Sequence, residues 1–455
     1  MNQPISFIFG NSDRGLLKIL GTGFGVAVGV GAVIGSGILR APSAIAGEVP
    51  GNWLILGLWV LGAIQALLSA NIYAELGTAM PRCGADYVFA QRVYGDVGGL
   101  VVGWSVWLAF IASIAAASVS FAEFLPLIIP SAAQHRTAVV VTLLLAIYGA
   151  NILGLRPGRA IQISTSTVKA AMLFLFVLAA LLVASPAETR QHSTSDPIWS
   201  AGGIILAYKL VFGTYAGWQT PLCFSGESKA PARSIPRSLF LGILLTAILF
   251  IGINAALLDA MGPHEVARSP LPFSVVIGRL GGPIASFLFA LTAMVTVVSC
   301  ANANVMGNAR VLFALAEDGL LPVALRAVNA GGSPVVAYVL AAVISIALAT
   351  SGQFILVFGL IATLNMFGAV LVEASFFILR WREPHLERPY KALGYPWLPV
   401  LALIVDSTLL CFVIYADRVG DIVAIGLLLL CVPLAMMARR ARRAPILASV
   451  RSSAT

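Results

Sequence analysis

The sequence predicts an all-α polytopic membrane protein with about twelve transmembrane helices. Hydrophobic residues make up 59% of the 455 residues and charged residues only 10%, too few to cover a water-soluble protein of this size. The apolar runs are each close to the ~20 residues that cross a bilayer. Runs such as 137–152 and 239–258 do not alternate apolar and polar residues, so helices are predicted and not the strands of a barrel.

The apolar runs define the predicted spans, which are numbered here in chain order. They are joined by short polar connections, and a basic segment, 439–455, follows the last one. The predicted spans cover residues 17–46, 52–79, 97–128, 137–154, 161–184, 201–225, 238–260, 283–316, 334–350, 354–380, 397–416 and 420–438.

The basic residues are distributed unevenly between the two sides of the predicted spans. With the N-terminal segment 1–16 in the cytoplasm, twenty of the 28 Lys and Arg residues lie on the cytoplasmic side, six lie outside and two lie within spans. Such an excess marks the cytoplasmic side of a membrane protein. The sequence therefore predicts that both termini are cytoplasmic. The sequence has no N-x-S/T glycosylation acceptor, which fits a bacterial inner (plasma) membrane.

The net charge of +9 does not predict nucleic-acid binding, because most basic residues lie in short loops without interleaved aromatics. The five cysteines are scattered without metal-ligand spacing, and all four histidines lie in predicted loops. No metal and no cofactor are therefore predicted, and no histidine proton relay. The phosphate-binding pattern G-x-x-x-x-G-K-[ST] is absent, so transport driven directly by ATP within this chain is excluded.

Glycine-rich segments interrupt the first and sixth spans, at residues 29–38 and 212–218. One alternative is close packing of small residues, which Gly21, Gly25 and Gly29 would provide. The interruptions, however, occupy the first span of each of two successive five-span blocks. Because five is odd, the second block is inverted relative to the first. Interrupted spans at corresponding positions of two halves point to the binding site of a secondary transporter.

Four motifs occur in order along the chain. They are Gly31–Ile38; Tyr73–Arg82 with Gly84 and Tyr87; Ala216–Trp218 with Gly226, Glu227, Pro231 and Ile235–Arg237; and Asn302 with Asn308–Arg310, Ala316–Gly319, Leu321 and Pro322. In these motifs the chain resembles the amino acid–polyamine–organocation permeases. The resemblance implies the LeuT-type fold, in which two inverted repeats, here 17–185 and 200–380, are followed by two peripheral helices in 397–438.

The interruption of span one offers both ends of an α-amino acid a partner without a charged side chain. The half-helix that starts near Gly37 presents unpaired N–H groups and a partial positive charge. Gly35 and Gly37 leave room for a carboxylate to approach, and Ser36 adds a hydroxyl donor. The half-helix that ends near Ile34 presents carbonyls suited to an ammonium group.

Span six is predicted to complete the substrate site. Carbonyls near Phe212, Gly213 and Tyr215 would also accept from an ammonium group. Many members of the resembled family carry a gating aromatic at the position of Gly213, so Phe212 and Trp218 are the candidate gate. Lys209, about one turn earlier, either faces the pocket and binds a second anionic group of the substrate or is solvated in the vestibule.

Lys169 lies inside span five, where a lysine costs roughly 2.5–3.5 kcal/mol. Snorkelling to the surface is the alternative to a buried role. The resemblance implies that its ammonium occupies the position where sodium-coupled relatives bind sodium and that it bridges spans one and eight. Ser299 is its candidate partner on span eight. Whether Lys169 transfers protons stays open.

Three acidic residues lie within or at the ends of spans. Glu75 either pairs with an arginine or is a solvated helix end. Glu373 in span ten and Asp406 in span eleven are costly where they lie, but span eleven is peripheral, and no coupling role is assigned to either.

The sequence thus predicts a secondary transporter of amino acids or related amines that works by alternating access. Transport is predicted to be sodium-independent, by proton-coupled symport or exchange; the alternative is a sodium-coupled symporter. A channel would need rings of like residues or filter loops, and an intramembrane enzyme would need a nucleophile with a base or metal ligands, so neither is favoured. The predicted partners are a small-molecule substrate, protons and the lipid bilayer, with the oligomeric state open.

Overall fold

The computed structural model describes residues 21–182, 200–269, 271–350, 354–416, 418–429 and 431–433. Most of these residues form α-helices, and the only β-pairing among them is an isolated bridge between Val328 and Pro334. The predicted terminal segments 1–16 and 439–455 lie outside the described residues. The all-α polytopic fold that the composition predicts is confirmed.

Each predicted span corresponds to a helix or to a pair of helices. Within the described residues, eight helices are long and apolar enough to cross a membrane, and a bent pair in span one makes nine. The α-helices that correspond to the twelve predicted spans, including shorter ones that this count leaves out, are Thr22–Val33 and Ser36–Glu48 in span one, then Asn52–Ala79, Asp86–Phe124, Arg136–Ile152, Leu155–Leu182, Ala201–Tyr215, Pro231–Met261, Pro272–Glu317, Val335–Thr350, Phe354–Arg382, Trp397–Ala416 and Arg418–Leu429.

Spans three and eight begin about ten residues earlier than their apolar runs do. Each starts with a short helical segment that is set off by glycine: Gly95 has φ 72° in span three, and Gly282 has φ 61° in span eight. Positive φ is accessible to glycine without steric cost, so the chain changes direction there. The leading segments carry polar residues, which explains why hydropathy places the starts of these spans too late.

Span three forms the centre of the molecule, and span eleven lies at its edge. Of the most apolar window of span three, 89% is buried inside the protein, against 22% for span eleven. Span three packs most extensively against spans eight and ten. Spans two and seven pack against each other and, together with span six, form a second group of neighbours.

The two interrupted spans cross each other in opposite directions. The second helix of span one, Ser36–Glu48, packs on the first helix of span six, Ala201–Tyr215. The first helix of span one, Thr22–Val33, packs instead on the 3-10 segment Thr220–Glu227 that follows the interruption of span six. The two interruptions therefore lie side by side, with one half of each span on either side of them.

Candidate substrate site

Span one is broken at Ile34 and Gly35, within the predicted interruption. Its two helices meet at 42°. The backbone departs from helical geometry at Ile34, with φ −76° and ψ 94°. It is also non-helical at Gly35, with φ −139° and ψ −146°. A Cβ atom added at Gly35 would lie 2.5 Å from the Cys300 sulfur. Glycine is therefore required at this position by the close approach of span eight.

Lys169 caps the broken end of the first half of span one. Its ammonium donates to the carbonyl oxygens of Gly31, at 2.8 Å, and Ile34, at 2.6 Å, and its side chain is completely buried. A cation at a helix C-terminus is favourable because carbonyls without helical partners collect there. Lys169 does not snorkel to the surface in this structure.

The position of Lys169 changes the prediction for Ile34. The Ile34 carbonyl was expected to accept a hydrogen bond from the substrate ammonium, but it already accepts one from the protein. A carbonyl oxygen has two lone pairs, so one remains.

Ser299 lies in the same polar layer as Lys169 but bonds to other side chains. Its hydroxyl lies 3.3 Å from the Ser166 hydroxyl and 3.5 Å from the Gln162 amide nitrogen. Ser166 and Gln162 both donate to the Ala27 carbonyl of span one. Ser299 was the candidate partner of Lys169 on span eight; among the described hydrogen bonds, the lysine bonds to span one, and Ser166 and Gln162 make the contact with Ser299.

Cys300 is a site residue that the sequence analysis missed. Its thiol donates to the Ala32 carbonyl at 3.2 Å, and it is the atom that approaches Gly35. Together, Lys169 and Cys300 bond to three carbonyls at the end of the first half-helix, those of Gly31, Ala32 and Ile34. No spacing rule identifies such a cysteine, because its role depends on a contact between residues far apart in the chain.

The break in span six lies at Ala216 and Gly217, in the second half of the predicted interruption 212–218. The helix continues through Tyr215, and the Phe212 carbonyl accepts from the Ala216 N–H at 3.0 Å. Phe212 and Gly213 are therefore inside the helix, and the predicted free carbonyl at Phe212 is corrected. The Gly217 N–H bonds the Gln219 side chain instead of continuing the helix, which leaves the Gly213 carbonyl without its helical partner.

The aromatic residues of span six face different neighbours. The Phe212 side chain packs with Ala362 and Val413 of spans ten and eleven, which corrects the expectation that it covers the break as a gate. Tyr215 is buried and donates to the Trp59 carbonyl of span two, so only its main chain can contribute to the site. Trp218 lies in the break itself, half-buried.

Trp218, the other predicted gate residue, directly follows Gly217 in the break of span six. Its ring makes an edge-to-face contact with Tyr73 of span two, with centroids 5.0 Å apart. Tyr73 belongs to the same span-two motif as Glu75. Its ring also contacts the ring of Phe89 in span three. Edge-to-face aromatic contacts therefore connect Trp218 of span six, through Tyr73, to span three.

The two breaks touch each other at Gly217. This residue has φ 109°, and a Cβ atom added there would lie 3.2 Å from the carbonyl carbon and from the Cβ of Ala32. Only glycine adopts this φ without strain, and only glycine leaves room for span one. The neighbouring Gln219 donates to Asn365 of span ten at 2.8 Å, which ties the break to a third span.

The second half of span one begins with unpaired donors. The N–H groups at its start, from Ser36 onward, have no carbonyl partner in the preceding turn, and Gly35 has no side chain to cap them. Ser36 and Gly37 are buried. Such a helix start binds anions through its N–H groups and its dipole. The broken spans therefore present N–H groups that suit an anionic group and carbonyl oxygens that suit a cationic one.

Lys209 lies inside the protein. Its side chain is only 6% exposed, so in this conformation it is not a solvated residue of a vestibule. The helix that carries it packs against the second half of span one, span two and spans ten and eleven.

Ion pairs join the broken spans to their neighbours on both sides of the breaks. Arg40, on the second half of span one, pairs with Glu123 at the end of span three; we call this the Arg40 pair. On the other side, Arg310 of span eight bonds Glu227 of span six at 2.5 Å; we call this the Arg310 pair. The Arg310 side chain also donates to the Tyr338 hydroxyl.

The two pairs differ in burial. The side chains of the Arg40 pair are 30% and 24% exposed, whereas those of the Arg310 pair are 1% and 0% exposed. Arg310 lies within the helix of span eight, two turns before its end. Glu75, for which two alternatives were open, pairs with Arg380 and with Arg388 and is buried.

The chain matches the family model described as amino acid permease over residues 25–436. It is 28% identical to the serine/threonine exchanger SteT of Bacillus subtilis, over 92% of this chain and 95% of that protein. It is 24% identical to the branched-chain amino acid permease BcaP of Lactococcus lactis, over 87% and 90% of the two chains. It is 25% identical to the mouse Asc-type amino acid transporter 1, over 92% and 81%.

Proposed function

The chain belongs to the amino acid permease family, and we propose that it moves neutral amino acids by alternating access without sodium. Its family and its relatives are transporters and not enzymes, and the protein is an integral membrane protein that transports amino acids. The substrate class, the coupling ion and the mechanism are the proposal.

The juxtaposition of two broken half-helices carries the proposal. The N–H groups at Ser36 and Gly37 recognise the substrate carboxylate, and the remaining lone pair of Ile34 with the carbonyls from Gly213 to Tyr215 recognises its ammonium group. Irregular backbone is tolerated at membrane depth only where it lines a cavity or is covered by protein. Because these contacts are made by the main chain, they suit any α-amino acid, and the side-chain surroundings select among them.

The relatives support neutral side chains as substrates. One is a serine/threonine exchanger and another is a branched-chain amino acid permease. Lys209 is buried beside this region, and we propose it as a residue that affects selectivity, most strongly against cationic substrates.

The contacts of Lys169 support the proposal of sodium independence. A sodium ion would need a set of oxygen ligands, and the Gly31 and Ile34 carbonyls are two suitable ones. In this protein the ammonium of Lys169 bonds both oxygens. A second cation so close to a buried ammonium would be repelled strongly. The energy source is then exchange with a second amino acid or symport with protons.

Alternating access assigns roles to the predicted repeats. We propose that residues 17–185 and 200–380 move relative to each other about the contact of Gly217 with Ala32. The Arg40 pair opens on one side of the site and the Arg310 pair on the other. With the basic segments in the cytoplasm of a bacterial cell, the Arg40 pair would face outward.

Transport by purified protein in proteoliposomes tests this function. We expect counterflow of labelled serine, threonine or a branched-chain amino acid, unchanged when external sodium is replaced by choline at fixed pH. A thermal-shift screen against all common amino acids would identify the best ligand, because saturation at 100 times the dissociation constant stabilises by about 2.7 kcal/mol. A strict sodium requirement would refute the role of Lys169, and no transport of any amino acid would refute the substrate class.

A further inference from the structure

Two carboxyl groups from different spans lie together in the interior of the protein, away from the breaks. They belong to Glu373 of span ten and Asp406 of span eleven, and both side chains are completely buried. Both groups lie within hydrogen-bonding distance of the same hydroxyl, that of Ser69. The sequence analysis assigned them no role, because it did not place them side by side.

Span two supplies the other polar groups of this cluster. The Ser69 hydroxyl lies 2.7 Å from Glu373 and 3.3 Å from Asp406, and the Gln65 amide donates to Asp406 at 2.7 Å. Ser69 carries one hydrogen, which it can donate to only one of the two carboxyls at a time. No lysine or arginine is among the hydrogen-bond partners found for either carboxyl within the described residues.

One carboxyl oxygen has no donor among the described residues. Glu373 Oε2 is buried and lacks a hydrogen-bond partner among the described side chains. Leaving such an atom unsatisfied costs roughly 1–3 kcal/mol, and more when it is charged. Two ionised carboxylates at this separation in an apolar interior would also repel each other, as in other carboxyl dyads. A proton held by one carboxyl supplies the missing hydrogen and removes the repulsion.

The cluster also joins two groups of helices. Span two packs mainly on span seven and less extensively on spans eleven and six, whereas span ten packs mainly on span three. Movement of the broken spans with span two would therefore change the contact of Ser69 with Glu373. A ligand that is held differently in two conformations shifts the equilibrium between them, and the conformational change in turn drives its binding or release.

We propose that Glu373 and Asp406 form a proton-binding site whose occupancy is linked to the conformational change of transport. The protonated carboxyl releases its proton to water when span two moves, leaving a carboxylate that is stabilised by Ser69 and Gln65. The inference rests on the proposed transport function, since it names the ion that accompanies a net movement of substrate. The titratable groups that interact with the pair from the packed elements are Tyr73 of span two and Tyr208 of span six.

Infrared spectroscopy tests proton binding without any transport measurement. In the protein purified into lipid, we expect a carbonyl band of a protonated carboxyl that disappears as the buffer is made alkaline. The double variant Glu373→Gln with Asp406→Asn should lack this band. Glu265→Gln, which alters an exposed acid that pairs with Arg279, should keep it. A band unchanged in the double variant would overturn the proposal.

Two further variants keep both carboxyls. Ser69→Ala removes a donor that favours the ionised form, so we expect the band to persist to more alkaline buffer. Lys209→Met tests whether a lysine, and not a proton, neutralises the pair, and we expect it to leave the band in place. If Ser69→Ala leaves the titration unchanged, or if the band depends on Lys209, the shared proton is refuted.

Transport measurements test the link to the conformational change. In proteoliposomes, an inwardly directed proton gradient should increase net uptake by the natural protein several-fold and leave uptake by the double variant unchanged, while amino acid exchange persists in both. A wild-type protein that ignores the gradient, or a double variant that responds fully to it, would overturn the coupling. If no amino acid is transported at all, the proposed function fails, and the infrared result still decides the proton site.

Discussion

The ammonium of Lys169 lies 2.6 Å from the carbonyl oxygen of Ile34, the residue at which span one leaves its helix. This contact joins span five to the break of span one. The same ammonium also donates to the Gly31 carbonyl, so Lys169 is the hydrogen-bond donor to two buried carbonyls at the end of this half-helix.

Replacement of this lysine is therefore predicted to abolish transport. Lys169→Met leaves the carbonyls of Gly31 and Ile34 unsatisfied, each at a cost of roughly 1–3 kcal/mol, which the break would relieve by rearranging. We expect uptake to fall at least about tenfold, the effect of 1.4 kcal/mol, at an unchanged amount of protein in the membrane. Lys229→Met, at an exposed position, is the matched control. Normal uptake by Lys169→Met would show that the cap is dispensable.

The break of span six should tolerate no side chain at Gly217. Gly217→Ala combines a strained φ of 109° with a Cβ atom 3.2 Å from Ala32. A strained backbone of this kind costs about 1–3 kcal/mol, so we expect strongly reduced uptake and a lower melting temperature. Gly57→Ala, in span two, has no atoms within 4 Å of the new Cβ and should behave like the natural protein. Equal behaviour of the two variants would contradict the geometry of the break.

Ser36 separates the contribution of the main chain from that of the side chain. Ser36→Leu places bulk over the N–H groups and should abolish uptake, although the protein remains folded. Ser36→Gly removes only the hydroxyl, so we expect affinity for substrate to fall by no more than about tenfold, the worth of one hydrogen bond. Uptake and the Km for substrate measure both effects. Full activity of Ser36→Leu would exclude binding of the carboxylate at this helix start.

Disruption of the Arg310 pair is predicted to destabilise the protein more than disruption of the Arg40 pair. Glu227→Gln leaves the Arg310 guanidinium buried without its counter-charge, which typically costs about 3–5 kcal/mol. The double variant Arg310→Met with Glu227→Met removes both charges and should recover most of the lost melting temperature. Glu123→Gln in the half-exposed Arg40 pair should cost less than about 1 kcal/mol. Thermal unfolding in detergent compares the variants, and equal losses at the two sites would contradict their difference in burial.

Cys83 is predicted to report when the Arg310 side opens. Burial, with a smaller contribution from Glu227, raises the pKa of this thiol to about 12, so it is protonated and unreactive at neutral pH. Its sulfur lies 2.9 Å from the Cβ position of Gly226, in the segment of span six that would have to move. With the other cysteines replaced, maleimide should label Cys83 slowly in the natural protein and faster in Glu227→Gln. Rapid labelling of the natural protein would show that this side is already open.

Much of the fold could be predicted from the sequence, because apolar runs and glycines carry local information. The break at Ile34 and Gly35 and the buried position of Lys169 follow from residue types that are costly in a helix or in a membrane. The break of span six lies within the predicted interruption, but the residue types alone do not show which of its two glycines, Gly213 or Gly217, leaves the helix. Only the contact of Gly217 with Ala32 and its positive φ separate the two.

Other features of the site could not be predicted, because they depend on contacts between distant parts of the chain. Cys300 bonds Ala32 across 268 positions, and Ser69 bonds Glu373 across 304. Hydropathy identifies Glu373 and Asp406 as costly residues, but it does not indicate that they share a cluster. The same holds for Ser299, whose partner turned out to be Ser166.

In the proposed transport cycle, the unequal burial of the Arg40 and Arg310 pairs predicts a preferred resting state. An ion pair in contact with water separates at little cost, because solvent replaces each lost partner at once. The two charges of the Arg310 pair are buried and must be rehydrated when they separate. Separation of this pair is therefore rare, and the pair stays formed for long periods. The cycle therefore pauses with access on the Arg40 side, and the rate of turnover is governed by the slower opening. Conditions that change the access of water to Glu227 would then change the turnover rate of the transporter.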